Sequence, residues 1–161
     1  MKFSSLVERI AGESAEVWDI HSEARKRFEN GEDVIMLSIG EESDETTPTS
    51  IQKEAIASIQ RGRHHYTQVV GEDPLRKAIA KRHQKRTGQQ ISLENVCIFA
   101  GAQNALFSVC LCLLEQGDEV IVPELYYATY PATVTAGGAT LVAIPTNTEM
   151  EFQPDPKSIA K

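Results

Sequence analysis

Cations are scarce in this chain: 16 Lys and Arg stand against 23 Asp and Glu, a formal charge of −7. Counterion-release binding needs clustered positive charge, so nucleic acid and anionic membrane surfaces are disfavoured as partners. Long apolar runs are also missing. Nowhere does the sequence approach the roughly 20 apolar residues that cross a bilayer. The first ten residues, with Lys2, Glu8 and Arg9 around a short apolar patch, do not read as a secretory signal, and the expected location is the cytoplasm. Cysteine numbers three, Cys97, Cys110 and Cys112, an odd count embedded in apolar elements that predicts reduced core thiols rather than disulfides. Cys110 and Cys112 are two apart and diverge on a helix, and the pair His64-His65 lacks a third ligand at suitable spacing, so no metal site is expected. Glycine is sparse, and neither the dinucleotide fingerprint nor the phosphate-loop pattern occurs.

What is present is an ordinary globular composition, 41% hydrophobic in 161 residues, enough for one buried core. Its organising stretch is 96–124. Residues 96–100 form a continuous apolar run that predicts a strand covered on both faces. Gly101 supplies the turn, Ala102-Gln103-Asn104 lead onward, and residues 105–114 read as a helix buried on almost every face. Gln116-Gly117-Asp118 closes that helix, with Gly117 as its left-handed C′ residue, and residues 119–122 form a second strand ended by Pro123. The unit is β-α-β. The helix start after Gly101 is a ready anion site, because its first N–H groups lack partners and its dipole favours negative charge. An ordinary βα turn is the competing reading and stays open at this point.

Elsewhere the pattern is α/β. Residues 3–12 and 15–29 predict N-terminal helices, the second carrying a stripe of Val17, His21, Ala24 and Phe28 with Trp18 beside it, suited equally to lie on a partner or second domain or on its own core. Residues 34–39 read as a strand ending at Gly40, and the acidic stretch Glu41-Glu42-Ser43-Asp44-Glu45 as a solvated loop. Thr47-Pro48 predicts a capped helix that runs to Gly62, and Asp73-Pro74 another that ends at Gly88, with Leu75, Ala78 and Ile79 inward and Lys77, Lys81, Arg82, Lys85 and Arg86 largely outward. Tyr126, Tyr127 and Tyr130 follow the second strand at the edge where open α/β sheets bind ligands. Residues 132–136 continue a helix, 140–145 a third strand, and Asp155-Pro156 caps a helix of barely one turn, a pattern that suggests truncation.

The ordered set Ser38-Ile39-Gly40, His65-Tyr66 with Gly71, Leu75-Arg76-Lys77-Ala78-Ile79-Ala80, Ala100-Gly101-Ala102-Gln103-Asn104-Ala105-Leu106, 117–123 and Tyr127-Ala128-Thr129-Tyr130 resembles the first part of the pyridoxal-phosphate-dependent class I/II aminotransferases. The likeness runs the length of the chain and leans towards the arginine–pyruvate and aspartate-type branch. It implies the fold-type I architecture: an N-terminal arm and small-domain segment over 1–46, then an incomplete large domain over 47–161 with a mixed, mostly parallel sheet and helices on both faces.

By position, the resemblance implies that Gly101, Ala102 and Gln103 hold the phosphate of pyridoxal 5′-phosphate and that Tyr127 stacks on its ring. Tyr66 would reach the cofactor phosphate of the neighbouring subunit in a homodimer, and Gly40 and Ile39 would line the pocket for the substrate carboxylate. It further implies that the Schiff-base lysine lies beyond residue 161, so that no catalytic residue is in this chain and the chain alone is inactive. Two departures stand out: residues 41–45 lack the family's acid-proline-aspartate, and Leu125 replaces a proline before the stacking aromatic. A non-catalytic interaction or remnant module and a plain phosphate-binding α/β domain are the alternatives. The resemblance also places later strands between residues 96–100 and 119–122, so open sheet edges and uncovered apolar surface are expected.

Overall fold

The computed structural model describes residues 2–11, 16–40 and 46–160, and the chain divides into two compact units. The expectation for the acidic stretch 41–45 lies outside the described residues, as do Gly12, Ala15 and the side chain of Val17.

The first unit comprises Met1–Ile39 and Ala102–Lys161. It holds helices α1 (Ser5–Ile10), α2 (Glu16–Glu29), α5 (Ala102–Leu113), α6 (Tyr130–Ala136) and α7 (Pro156–Ile159), with strands β1 (Glu119–Pro123) and β2 (Thr140–Ile144). β1 and β2 run parallel with Val120 opposite Leu141 and Val122 opposite Ala143, joined by the crossover helix α6. β1 ends at Pro123, whose missing N–H does not interrupt the pairing, since the Glu124 amide beyond it still donates to the Ile144 carbonyl. Cys110 of α5, Val134 of α6 and Ala139 form the buried centre, and Leu106, Leu114, Val120 and Leu141 pack around it. α5 and α6 approach closely at Gly137, where an added Cβ would stand 3.0 Å from the Cys110 carbonyl oxygen and 3.1 Å from Leu114 Cβ. The short α1 is fastened to the end of α6: Arg9 donates through Nε to the Thr135 carbonyl and through Nη2 to the Ala136 carbonyl, each at 3.1 Å. A cation there satisfies carbonyls that have no further helical turn to bond.

The second unit, Gly40–Gly101, contains α3 (Thr49–Gln60), α4 (Asp73–Thr87) and a 3₁₀ turn, Leu93–Asn95, boxed by Ser92 and Asn95. Its organising side chain is Arg76, only 5% exposed. The guanidinium donates from Nε to the Val96 carbonyl at 2.9 Å, from Nη2 to the Leu93 carbonyl at 2.8 Å and from Nη1 to Asp73 Oδ1 at 3.1 Å. Gly71, at φ +96°, lies against the same segment, since a Cβ there would fall 2.5 Å from Ile98 Cγ1.

The α/β class, the parallel pairing of 119–123 with 140–144, the left-handed Gly88 cap of α4 and the Asp155 cap of α7, which accepts from the Lys157 amide at 3.1 Å, agree with the sequence. Several local expectations do not. Residues 34–39 and 96–100 form no strand, because a ladder needs a hydrogen-bonded neighbour and among the described residues only β1 and β2 pair. Ile98 has one such bond, from its amide to the Val70 carbonyl at 3.0 Å. α5 begins at Ala102 and ends at Leu113; Gly117, at φ +102°, belongs to the following turn, in which Asp118 Oδ2 accepts from the Glu115 amide at 2.8 Å.

α5 is also less covered than its apolarity suggests, with Val109, Leu111 and Leu113 exposed, and Cys97 and Cys112 are exposed thiols rather than core ones. Pro48 and Glu72 take the positions before α3 and α4 without any side-chain cap, which moves the starts from the predicted Thr47 and Asp73 caps. On α4 the inward face is Arg76 and Ala80, whereas Leu75 and Ile79 are exposed. Trp18, Ile20 and Phe28 of α2 are exposed, so of the two expectations for this helix its own core does not cover them. Apolar surface is open on β1 as well, at Ile121.

Candidate functional site

The first unit brings three elements to one place: the start of α5, the loop leaving the carboxyl end of β1, and the start of α6. Gly101 precedes α5 at φ +91°, with nothing within 4 Å of where a Cβ would stand, and its amide turns back to the Phe99 carbonyl at 2.9 Å. This left-handed turn is cheap for glycine alone, and it leaves α5 to open at Ala102. Ala102, Gln103 and Asn104 are all exposed, so the first N–H groups of a 12-residue helix face outward.

Loop 124–129 is pinned at its start by two bonds to the end of β2 and beyond: the Glu124 amide donates to the Ile144 carbonyl at 2.8 Å, and Thr146 Oγ1 donates to the Glu124 carbonyl at 3.1 Å. Leu125 then takes φ +62°, a conformation that a proline ring, fixed near −65°, cannot adopt. Tyr127 is half exposed at 54% and stands 6.2 Å from Tyr130, ring centre to ring centre, with the planes inclined by 55°. The Tyr130 amide donates to the Tyr127 carbonyl at 2.9 Å, which curls the loop into α6.

Thr129 closes the arrangement by donating from Oγ1 to Gln103 Oε1 at 2.7 Å. Two of the expected site elements, the Gly101-Ala102-Gln103 turn and the loop that carries Tyr127, are therefore joined through a residue to which the sequence reading gave no role. Tyr66 and Gly40 belong to the second unit and Ile39 to the first. Tyr66 is fully exposed, Ile39 is half exposed, and a Cβ on Gly40 would meet nothing within 4 Å. Among the described residues no group of three or more His, Cys, Asp or Glu could hold a metal.

The donors at the start of α5 suit a phosphate: backbone N–H groups at a helix N-terminus, a glycine that leaves the approach open, and a side-chain amide held by one of its ends. An exposed tyrosine face in the adjoining loop suits a flat heteroaromatic ring. Both features fit pyridoxal phosphate.

The class I and II aminotransferase family profile matches residues 32–161. Arginine–pyruvate transaminase AruH of Pseudomonas aeruginosa is 44% identical over 160 residues, covering 99% of this chain and 40% of that protein. Aspartate aminotransferase of Pyrococcus horikoshii is 38% identical over 141 residues, covering 86% of this chain and 36% of its own length. Among solved structures, aspartate aminotransferase from Thermus thermophilus with maleate superposes with a TM-score of 0.88 at 28% identity, covering 99% of this chain and 41% of that one. That from Thermotoga maritima superposes at 0.82 with 32% identity, covering 98% and 41%. The chain belongs to the class I and II aminotransferases, with part of a fold-type I domain, and spans about 40% of the length of these relatives.

Proposed function

We propose that this chain carries the cofactor-phosphate turn and ring-stacking loop of a pyridoxal-phosphate-dependent aminotransferase, an enzyme that moves an amino group from an amino acid to a 2-oxo acid. The observation that carries the reading is the left-handed Gly101 turn into α5, joined by the Thr129–Gln103 hydrogen bond to the Tyr127 loop. Backbone N–H groups of Ala102 and Gln103 bind the phosphate dianion, aided by the dipole of α5. Tyr127 orients the ring by stacking on it. Bound pyridoxal phosphate supplies an electron sink for the pair released when the substrate's α C–H bond breaks. Gly40 and Ile39 line the side where the substrate carboxylate sits, and Tyr66 extends to the phosphate of a second subunit in a homodimer.

In the same reading, residues 1–46 form the arm and small-domain segment, residues 47–161 begin the large domain, and the protein works in the cytoplasm. The names of the relatives support arginine or aspartate as amino donor and pyruvate as an acceptor. The resemblance puts the Schiff-base lysine outside residues 1–161, so this chain by itself binds without turning over.

The test is calorimetry with 4-deoxypyridoxine 5′-phosphate, which has the ring and phosphate but no aldehyde to react with surface lysines. Saturable binding that is lost with deoxypyridoxine and weakened by Tyr127→Ala is expected; equal binding of the two probes overturns the site. Alanine formation from pyruvate and arginine or aspartate is expected to be nil, and turnover above that of free pyridoxal phosphate contradicts the inactivity.

A further inference from the structure

Thr129 stands where a threonine ordinarily caps its own helix. As the residue before α6 it could accept from an N–H of the first turn. It makes no such bond: its backbone sits at φ −86°, ψ −9°, in helical rather than extended space. The Thr129 hydroxyl instead donates across 26 residues of chain to Gln103 Oε1 at 2.7 Å. Its carbonyl still serves α6, accepting from the Thr133 amide at 3.0 Å and Thr133 Oγ1 at 2.8 Å, so the hydroxyl alone is diverted.

The direction of that bond matters. A threonine hydroxyl that donates to the carboxamide oxygen leaves the Gln103 NH₂, with its two donors, as the outward end. Were the amide reversed, an acceptor oxygen would lie beside the helix start and repel an anion. We propose that Thr129 is a positioning residue for the phosphate site: it fixes the orientation of the Gln103 carboxamide, so that its NH₂ joins the backbone N–H groups of α5 in binding a phosphate dianion. This rests on the phosphate-site reading of Gly101, Ala102 and Gln103 given above.

The experiment titrates the chain with inorganic phosphate, following the backbone amides of Gly101, Ala102 and Gln103 and the Gln103 side-chain NH₂ by NMR. Thr129→Val is expected to weaken phosphate about fivefold, the loss of one hydrogen bond at the site, and Thr129→Ser to restore it. The melting temperature is expected to fall only slightly in Thr129→Val, because the hydroxyl caps no helix and its one bond, to Gln103, is exposed. In a Gln103→Ala background the Thr129→Val effect is expected to vanish, and this pair of variants reads the coupling independently of the single change. Wild-type affinity retained in Thr129→Val, equal weakening by Val and Ser, or an undiminished Val effect in the Gln103→Ala background overturns the role of Thr129 while leaving the phosphate site intact. Failure of the unaltered chain to bind phosphate at these amides overturns the phosphate site and this inference together.

Discussion

The Arg76 guanidinium and the Val96 carbonyl oxygen, 20 residues apart in sequence, meet at 2.9 Å and fix α4 to the segment that leads into Gly101. The same side chain holds the Leu93 carbonyl and Asp73, so one buried cation satisfies acceptors from three parts of the second unit. Removing it leaves those acceptors without their donor. Arg76→Met is expected to destabilise the unit by about 3 kcal/mol, and Arg76→Lys to recover little of that, since a single ammonium cannot serve three acceptors in a planar fork. Denaturant unfolding of the two variants checks this; a lysine variant as stable as the parent contradicts it.

Gly71 meets Ile98 from the other side. At φ +96° an L-residue is strained, and its Cβ would overlap Ile98 close to the backbone, where no flexible end can swing away. Gly71→Ala is therefore expected to cost about 2–3 kcal/mol, and Ile98→Gly, which removes both the Cγ1 and the Cβ in the way, to cost less in the Gly71→Ala background than in the parent. If the second change costs the same in both backgrounds, the close approach is not the cause.

Arg9 holds α1 by two bonds to the end of α6, to the Thr135 and Ala136 carbonyls. A helix of six residues does not persist alone. In Arg9→Ala the α1 amides are expected to lose hydrogen-exchange protection while those of β1 and β2 keep theirs. Unchanged α1 protection would show that apolar packing alone docks the helix.

The three thiols are expected to separate by reactivity. Cys97 and Cys112 are exposed, whereas Cys110 is buried and burial pushes its thiol up from the ordinary range, which lowers its thiolate fraction near neutral pH. Iodoacetamide should label two sites quickly and the third only on unfolding, with mass spectrometry placing the slow site at Cys110. Rapid labelling of all three contradicts the buried centre shared by α5 and α6.

Much of this was legible because the signals were local. Gly88 ends α4 in the left-handed conformation, Asp155 caps α7, and the apolar pair 119–123 and 140–144 flanks a helix, which is the pattern of a right-handed parallel crossover. The exposed face of α2 is in keeping with a stripe that has no core near it in sequence, and the open surface on β1 with the family resemblance, which places later strands between 96–100 and 119–122. What failed to show was long-range. Residues 34–39 and 96–100 have strand composition, but composition does not supply a hydrogen-bonded neighbour. Arg76 is given no face by the sequence pattern, although its spacing to Ala80 marks one side of the helix; its partners at Leu93 and Val96 are invisible to helical periodicity. Thr129 sat inside a recognised motif without a role, because its partner Gln103 lies across a crossover.

The central claim is that the turn from Gly101 into α5 holds the phosphate of a ring cofactor whose face rests on Tyr127. Its most direct measurement is an amide-resolved NMR titration of the chain with 4-deoxypyridoxine 5′-phosphate. The account predicts saturable shifts at Gly101, Ala102 and Gln103 together with ring-current shifts at the Tyr127 side chain. Shifts scattered over surface lysines and arginines, with the α5 start and Tyr127 unmoved, would contradict it.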